Sequence, residues 1–326
     1  AQARSPVVRT SFGPVRGLVQ DGVNVFKGVR YAAPPVGPLR FKPPEPPEPW
    51  TEPVDTVAHG APAVQMYSRP SGEAESELGR SLAEVFPTAR ETQEGREDCL
   101  FLNVWSRGLG DGAKRPVMVW FHGGGYAYGS GSWPMYEGLG LAAKGDVVVV
   151  SVNHRLNAFG YAYLAEAMGQ PYAKSGNAGL LDLVAVLEWV RDNAEAFGGD
   201  PGNVTIFGES GGGAKVSTLM ATPVAKGLFH KAIVQSGPGL RGVPKEMAAR
   251  NAELLLTELG VAKGDAAALQ AVPAEAIIKA AYAVQAKTAG QPGARFGLSP
   301  VVDGDVVPRD PFTPDAPPQS ADIPLM

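Results

Sequence analysis

The chain reads as an α/β protein with a mostly parallel central sheet and flanking helices. Short, mostly apolar runs at Leu100–Trp105, Pro116–Phe121 and Val147–Val152 have the length of strands. The second and third are rich in valine and show no polar face, as strands covered on both sides do. Leu180–Phe197 carries apolar residues at helical spacing and ends on Gly198-Gly199, a helix stop. The alternation continues with a strand at Asn203–Phe207, a helix at Gly211–Met220 and a strand at Ala232–Gln235. Strand and helix in turn predict an open α/β sheet.

Ahead of this sheet, Val7–Val29 alternates apolar and polar residues around Gly13, Gly17 and Gly22. That pattern predicts a small N-terminal antiparallel sheet with tight turns. Pro34–Trp50 is dense in proline and is expected to be extended loop. Ser68–Asp98 is polar and poor in aliphatic residues, and is expected to form a long surface excursion with one short helix near Ala74–Val85. After the sheet, Pro244–Lys287 predicts at least two amphipathic helices. Leu298–Val302 and Val306–Val307 read as brief strands.

The chain has 326 residues, enough to bury a large core, and is read as one domain over 1–326. Its 41 glycines and 30 prolines form no repeat, so they imply many turns and not a fibrous or low-complexity chain. A net charge of −4 offers no basic field for nucleic acid. Apolar runs such as Val147–Val150 fall far short of the ~20 residues needed to cross a bilayer. The opening Ala1-Gln2-Ala3 fits the remainder of a small-residue signal cleavage site or no signal at all, and leaves only a slight lean to export. No His/Cys cluster has zinc-ligand spacing and no glycine-rich loop fits a nucleotide fingerprint, so neither metal nor organic cofactor is expected.

The chemistry is carried by Gly208-Glu209-Ser210-Gly211-Gly212, a G-x-S-x-G motif with a strand before it and a helix after it. A sharp turn there forces the serine to positive φ, and the flanking glycines let strand and helix approach without a clash. Ser210 is the candidate nucleophile. His122-Gly123-Gly124-Gly125-Tyr126 follows the strand Pro116–Phe121 directly. Acyl transfer needs donors for the negative oxygen of a tetrahedral intermediate, and glycine backbone can approach that oxygen closely. The rival reading of the loop by itself is a plain glycine-rich turn. Its pairing with the serine motif favours the oxyanion reading.

With these motifs the chain resembles the type-B carboxylesterase and cholinesterase family of the α/β-hydrolase superfamily. The resemblance is carried by Phe26-Lys27-Gly28-Val29-Arg30-Tyr31-Ala32, Pro34-Pro35-Val36-Gly37 with Leu39-Arg40-Phe41, and Glu97-Asp98-Cys99-Leu100-Phe101-Leu102-Asn103-Val104. It continues through Val152-Asn153-His154-Arg155-Leu156, Gly179-Leu180-Leu181-Asp182, Phe197-Gly198-Gly199-Asp200-Pro201 and Gln235-Ser236-Gly237. It implies a serine esterase acting on small carboxylic esters through an acyl-enzyme, with the N–H groups of Gly124, Gly125 and Gly211 as oxyanion donors. It also implies two ion pairs, Arg155 with Asp182 and Arg40 with Glu97. Arg155 would then be held by structure and not by substrate.

The chain departs from the family pattern in three places. Cys99 is the only cysteine, and the stretch Gly60–Gln65 lacks the partner with which the family cysteine often bridges. It is read as a buried structural thiol, with the 68–98 loop unstapled. His154 stands where tyrosine is usual, and Gly211 where alanine is common.

The base is harder to place. Only His59, His122, His154 and His230 exist. His122 is expected to brace the glycine loop and His154 to serve packing. His59 precedes the sheet. His230 begins the next parallel strand, at the sheet edge opposite the serine, because the intervening helix rises ~1.5 Å per residue away from it. The resemblance puts both acid and histidine C-terminal of Ser210. Residues 321–326 resemble the family segment that leads into the strand bearing the acid. The expectation is therefore a fold incomplete at its C-terminus, truncated before acid and histidine, inactive alone, and partnered by a complementary C-terminal segment of the same protein. The rival reading is a non-catalytic cholinesterase-like binding domain, which typically loses the serine or the glycines that are intact here.

Overall fold

The computed structural model describes residues 3–66, 93–290 and 297–326. The helix expected near 74–85 lies outside the described residues. At the centre stand β1 (Arg4–Arg9), β2 (Pro14–Gln20), β3 (Val23–Arg30), β4 (Val54–Asp55), β5 (Phe101–Ser106), β6 (Arg115–Phe121), β7 (Val148–Val152), β8 (Gly199–Glu209) and β9 (Lys231–Gln235). They form one sheet in the order β1-β2-β3-β5-β7-β6-β8-β9, with β4 beside β2. Strands β7, β6, β8 and β9 pair in parallel. Beyond β9, Leu325 makes a parallel bridge to Ala232, and Val234 N–H donates to the Met326 carbonyl at 2.8 Å.

The N-terminal strands are antiparallel as expected, but they do not form a small sheet of their own. β3 pairs with β5 from Asn24 opposite Ser106 to Arg30 opposite Phe101. An open edge of N–H and C=O groups is satisfied by the neighbouring edge, so the antiparallel ribbon extends the central sheet. Val306 and Val307 form no strand either; both side chains are buried in the main core.

Strand periodicity explains the layers. Val148, Val150 and Val152 of β7 point into the main core, whereas Val149 points to the opposite face with Trp105 of β5. On that second face lies α1 (Leu139–Gly145), which contributes Ala142. The main-core face is covered by α2 (Ala178–Asn193) and α3 (Gly211–Met220). Leu180, Leu183, Val184, Leu187 and Val190 of α2 recur at helical spacing and are all buried, which is the stripe an amphipathic helix needs. A short 3₁₀ turn then closes on Gly198 at φ 73°, a left-handed cap that glycine adopts freely. Three further helices, α4 (Lys245–Leu259), α5 (Ala266–Ala271) and α6 (Ala274–Thr288), build a second core with Phe41, Phe159 and Tyr172.

Both expected ion pairs form. Arg155 Nε and Nη2 donate to the two oxygens of Asp182 at 2.9 and 2.7 Å, and the backbone N–H of Arg155 adds a third bond at 3.0 Å. Neither side chain meets solvent to any extent, at 3% and 0% exposure. Arg40 grips Glu97 at 2.6 and 2.7 Å, and its Nη1 donates to the carbonyls of Leu269, Gln270 and Val272. One arginine thus ties the segment after β3 to the C-terminal end of α5. A further pair, Arg30 with Asp98, was not anticipated from sequence.

Candidate active site

Ser210 sits between the last residue of β8 and the first residue of α3, with φ 56° and ψ −120°. Its N–H donates to the Gln235 carbonyl of β9 at 2.8 Å, which pins the turn to the sheet. A side chain at positive φ is strained, and the neighbouring glycines make the turn feasible. A Cβ on Gly208 would stand 2.5 Å from the Gly212 carbonyl carbon, and one on Gly212 would stand 2.0 Å from the Phe121 oxygen. The spacing of the motif therefore reflects two close backbone approaches at the tops of β6 and β8.

The glycine loop rises from the end of β6 alongside this turn. A Cβ on Gly123 would lie 3.4 Å from the Ser210 Cβ. Gly124 and Gly125 take φ of 90° and 61°. The N–H groups of Gly124, Gly125 and Gly211 donate no hydrogen bond among the described residues. Ser210 Oγ likewise has no partner among them. Ser210 is half-buried, while Gly125 and Glu209 are exposed, so the cleft is open to solvent.

Beneath the loop lies a buried polar cluster. His122 Nδ1 is 2.7 Å from the Gly123 carbonyl, and since a carbonyl only accepts, the proton sits on Nδ1. His154 Nδ1 bonds the Arg155 carbonyl at 3.1 Å in the same sense. The two rings stack with centroids 4.9 Å apart. Burial, and then the nearby Lys215 ammonium, push both imidazoles well below their ordinary pKa, so both are neutral. Lys215 of α3 is fully buried, and its Nζ donates to the His122 carbonyl at 2.9 Å. Burial alone lowers its pKa to about 7.

The other histidines are placed elsewhere. His59 bonds Asn103. His230 Nδ1 accepts from Val204 N–H in the middle of β8, and the His230 backbone N–H, just before β9, donates to the Val204 carbonyl. The start of β9 is the end of the sheet opposite Ser210. Cys99 is buried and free, and burial pushes its thiol pKa far up, away from nucleophilic use. Among the described residues, no group of three or more His, Cys, Asp or Glu is arranged to hold a metal. Nor is any helix among them long and apolar enough to cross a membrane.

Sequence reasoning missed Lys215. A signal was present: it is the only charged residue in the ten-residue helix α3. It also missed the aromatic wall of Trp120, Tyr136 and Trp133 beside the loop, with centroids 5.1 and 5.8 Å apart.

A serine at positive φ on top of a parallel strand, faced by a glycine loop with free N–H groups, defines a class of α/β-hydrolase. Within that class the chain belongs to the carboxylesterase family, whose model matches residues 4–326. It is 41% identical over 320 residues to a para-nitrobenzyl esterase of Bacillus subtilis (strain 168), covering 98% of this chain and 61% of that protein. It is 38% identical to phenmedipham hydrolase of Pseudarthrobacter oxydans, covering 94% and 58%. The crystal structure of the Geobacillus stearothermophilus carboxylesterase EST55 at pH 6.2 superposes with a TM-score of 0.83 at 40% identity, covering 98% of this chain and 60% of that one. The chain thus spans about three fifths of the length of these relatives.

Proposed function

We propose that the protein hydrolyses carboxylic esters through an acyl-enzyme on Ser210. The observation that carries this reading is the Ser210 turn itself, with φ 56° and the free N–H groups of Gly124, Gly125 and Gly211 beside it. The serine oxygen attacks the ester carbonyl while its proton passes to a base. The three N–H groups hold the negative oxygen of the tetrahedral intermediate. The intermediate collapses to an acyl-serine, and the alcohol leaves with the proton. Water then attacks the acyl-serine, and the products are acid and alcohol. The names of the relatives, a para-nitrobenzyl esterase and a carboxylesterase, support the ester class.

The base and its acid belong, on this reading, to polypeptide outside residues 1–326. Support comes from the histidines: His59 and His230 are engaged elsewhere, His122 is committed to Gly123, His154 to Arg155, and Ser210 Oγ has no partner among the described residues. Residues 1–326 are then one domain that needs a complementary segment for turnover. A binding-only role is disfavoured by the intact serine and glycine loop. The test is turnover of nitrophenyl esters of increasing acyl length by the intact protein. Ser210→Ala is expected to lower kcat by at least about 10⁴-fold. Equal turnover by both proteins would refute the assignment.

A further inference from the structure

Lys215 is fully buried, yet it pairs with no carboxylate among the described residues. Its ammonium has three donors. Among the described residues, the one acceptor at hydrogen-bonding distance is the His122 carbonyl at 2.9 Å, and the face of Tyr126 lies 5.3 Å away. Its neighbours among the described residues are neutral: His122 at the end of β6, His154 after β7, and Tyr126 in the glycine loop. Taking an ammonium out of water with so little compensation destabilises a fold. A methionine would fill the same space without that penalty. A group held at such a disadvantage is expected to do something other than pack.

What it touches is informative. His122 is the residue from which the glycine loop departs, and its carbonyl and ring fix the loop from two sides. The Lys215 ammonium holds the carbonyl, while Nδ1–H of the same residue holds the Gly123 carbonyl at 2.7 Å. Lys215 also lies on α3, the helix that begins at the residue after Ser210. One side chain therefore joins the helix that carries the serine to the root of the loop that faces it. The distance between serine and loop donors is what an oxyanion site must hold closely.

We propose that Lys215 is a positioning residue that locks the glycine loop to the serine-bearing helix, setting the N–H groups of Gly124 and Gly125 for the tetrahedral intermediate. This rests on the esterase reading above. It acts on the transition state more than on the bound ester, because the N–H groups meet full negative charge only there.

The test uses the intact protein and Lys215→Met. Three quantities are compared with wild type: kcat and KM for nitrophenyl butyrate, inhibition by a trifluoromethyl ketone, whose serine adduct mimics the oxyanion, and the thermal midpoint. The expected result is a kcat lower by about 10- to 100-fold, KM within about threefold, and inhibitor affinity reduced in step with kcat. The midpoint is expected to be unchanged or raised. A folded variant with kcat within twofold of wild type overturns the proposal. So does a variant that loses its near-UV circular dichroism, since the ammonium would then be a structural requirement. If wild type itself hydrolyses no ester, the esterase reading has failed, which is a separate outcome.

Discussion

Gly211 lies so close to Gly125 that a Cβ on Gly211 would stand 2.4 Å from the Gly125 carbonyl oxygen and 2.6 Å from its nitrogen. Backbone meets backbone there, with no flexible side chain to give way. Glycine at 211 thus lets the serine-bearing helix and the glycine loop touch. Gly211→Ala is expected to push the loop away and lower kcat by about 10-fold or more, with little change in thermal midpoint. Unchanged kcat in that variant would show that the loop yields without loss of its donors.

The Arg155–Asp182 pair is expected to matter for folding and not for substrate. Its two side chains are 3% and 0% exposed. Asp182→Asn leaves a buried guanidinium without its counter-charge, at about 3–5 kcal/mol. The exposed Arg191–Asp192 pair, at 52% and 45%, is expected to contribute about 0–1 kcal/mol. Denaturant unfolding of Asp182→Asn and Asp192→Asn compares them directly. Equal effects would contradict the burial argument.

Lys215 also makes a pH prediction. Its pKa is about 7 in the fold, against an ordinary value of 10.5. Between those values the unfolded chain holds a proton that the folded chain does not. Stability therefore rises with pH across that window, and the burial penalty is fully present below about pH 7. The slope from this group approaches about 1.4 kcal/mol per pH unit. Relative to Lys215→Met, wild type is expected to gain stability from pH 7 to 10. A flat difference, read by urea unfolding at each pH, would show that Lys215 keeps its proton in the fold and that burial does not lower its pKa.

Much of the site was legible because it depends on local backbone. Gly208, Ser210 and Gly212 announce a turn, and the turn is where they place it. Arg155 with Asp182 and Arg40 with Glu97 came from family resemblance, and the geometry agrees. What escaped depends on partners distant in sequence. Alternation over 7–29 reveals strands, but not that β3 finds β5 across some seventy residues. Lys215 was missed because a lysine in a short helix normally faces solvent, and only packing from β6 and the glycine loop reveals it as buried. The stack of His122 on His154 is hidden for the same reason, since the two lie on adjacent strands' ends.

The assignment of Ser210 as nucleophile is tested most directly by covalent labelling. The intact protein is treated with a fluorophosphonate, and the modified peptide is located by mass spectrometry. One adduct is expected, on Ser210, accompanied by loss of ester hydrolysis, and no adduct in Ser210→Ala. Labelling at another residue, or inactivation with Ser210 unmodified, would contradict that assignment.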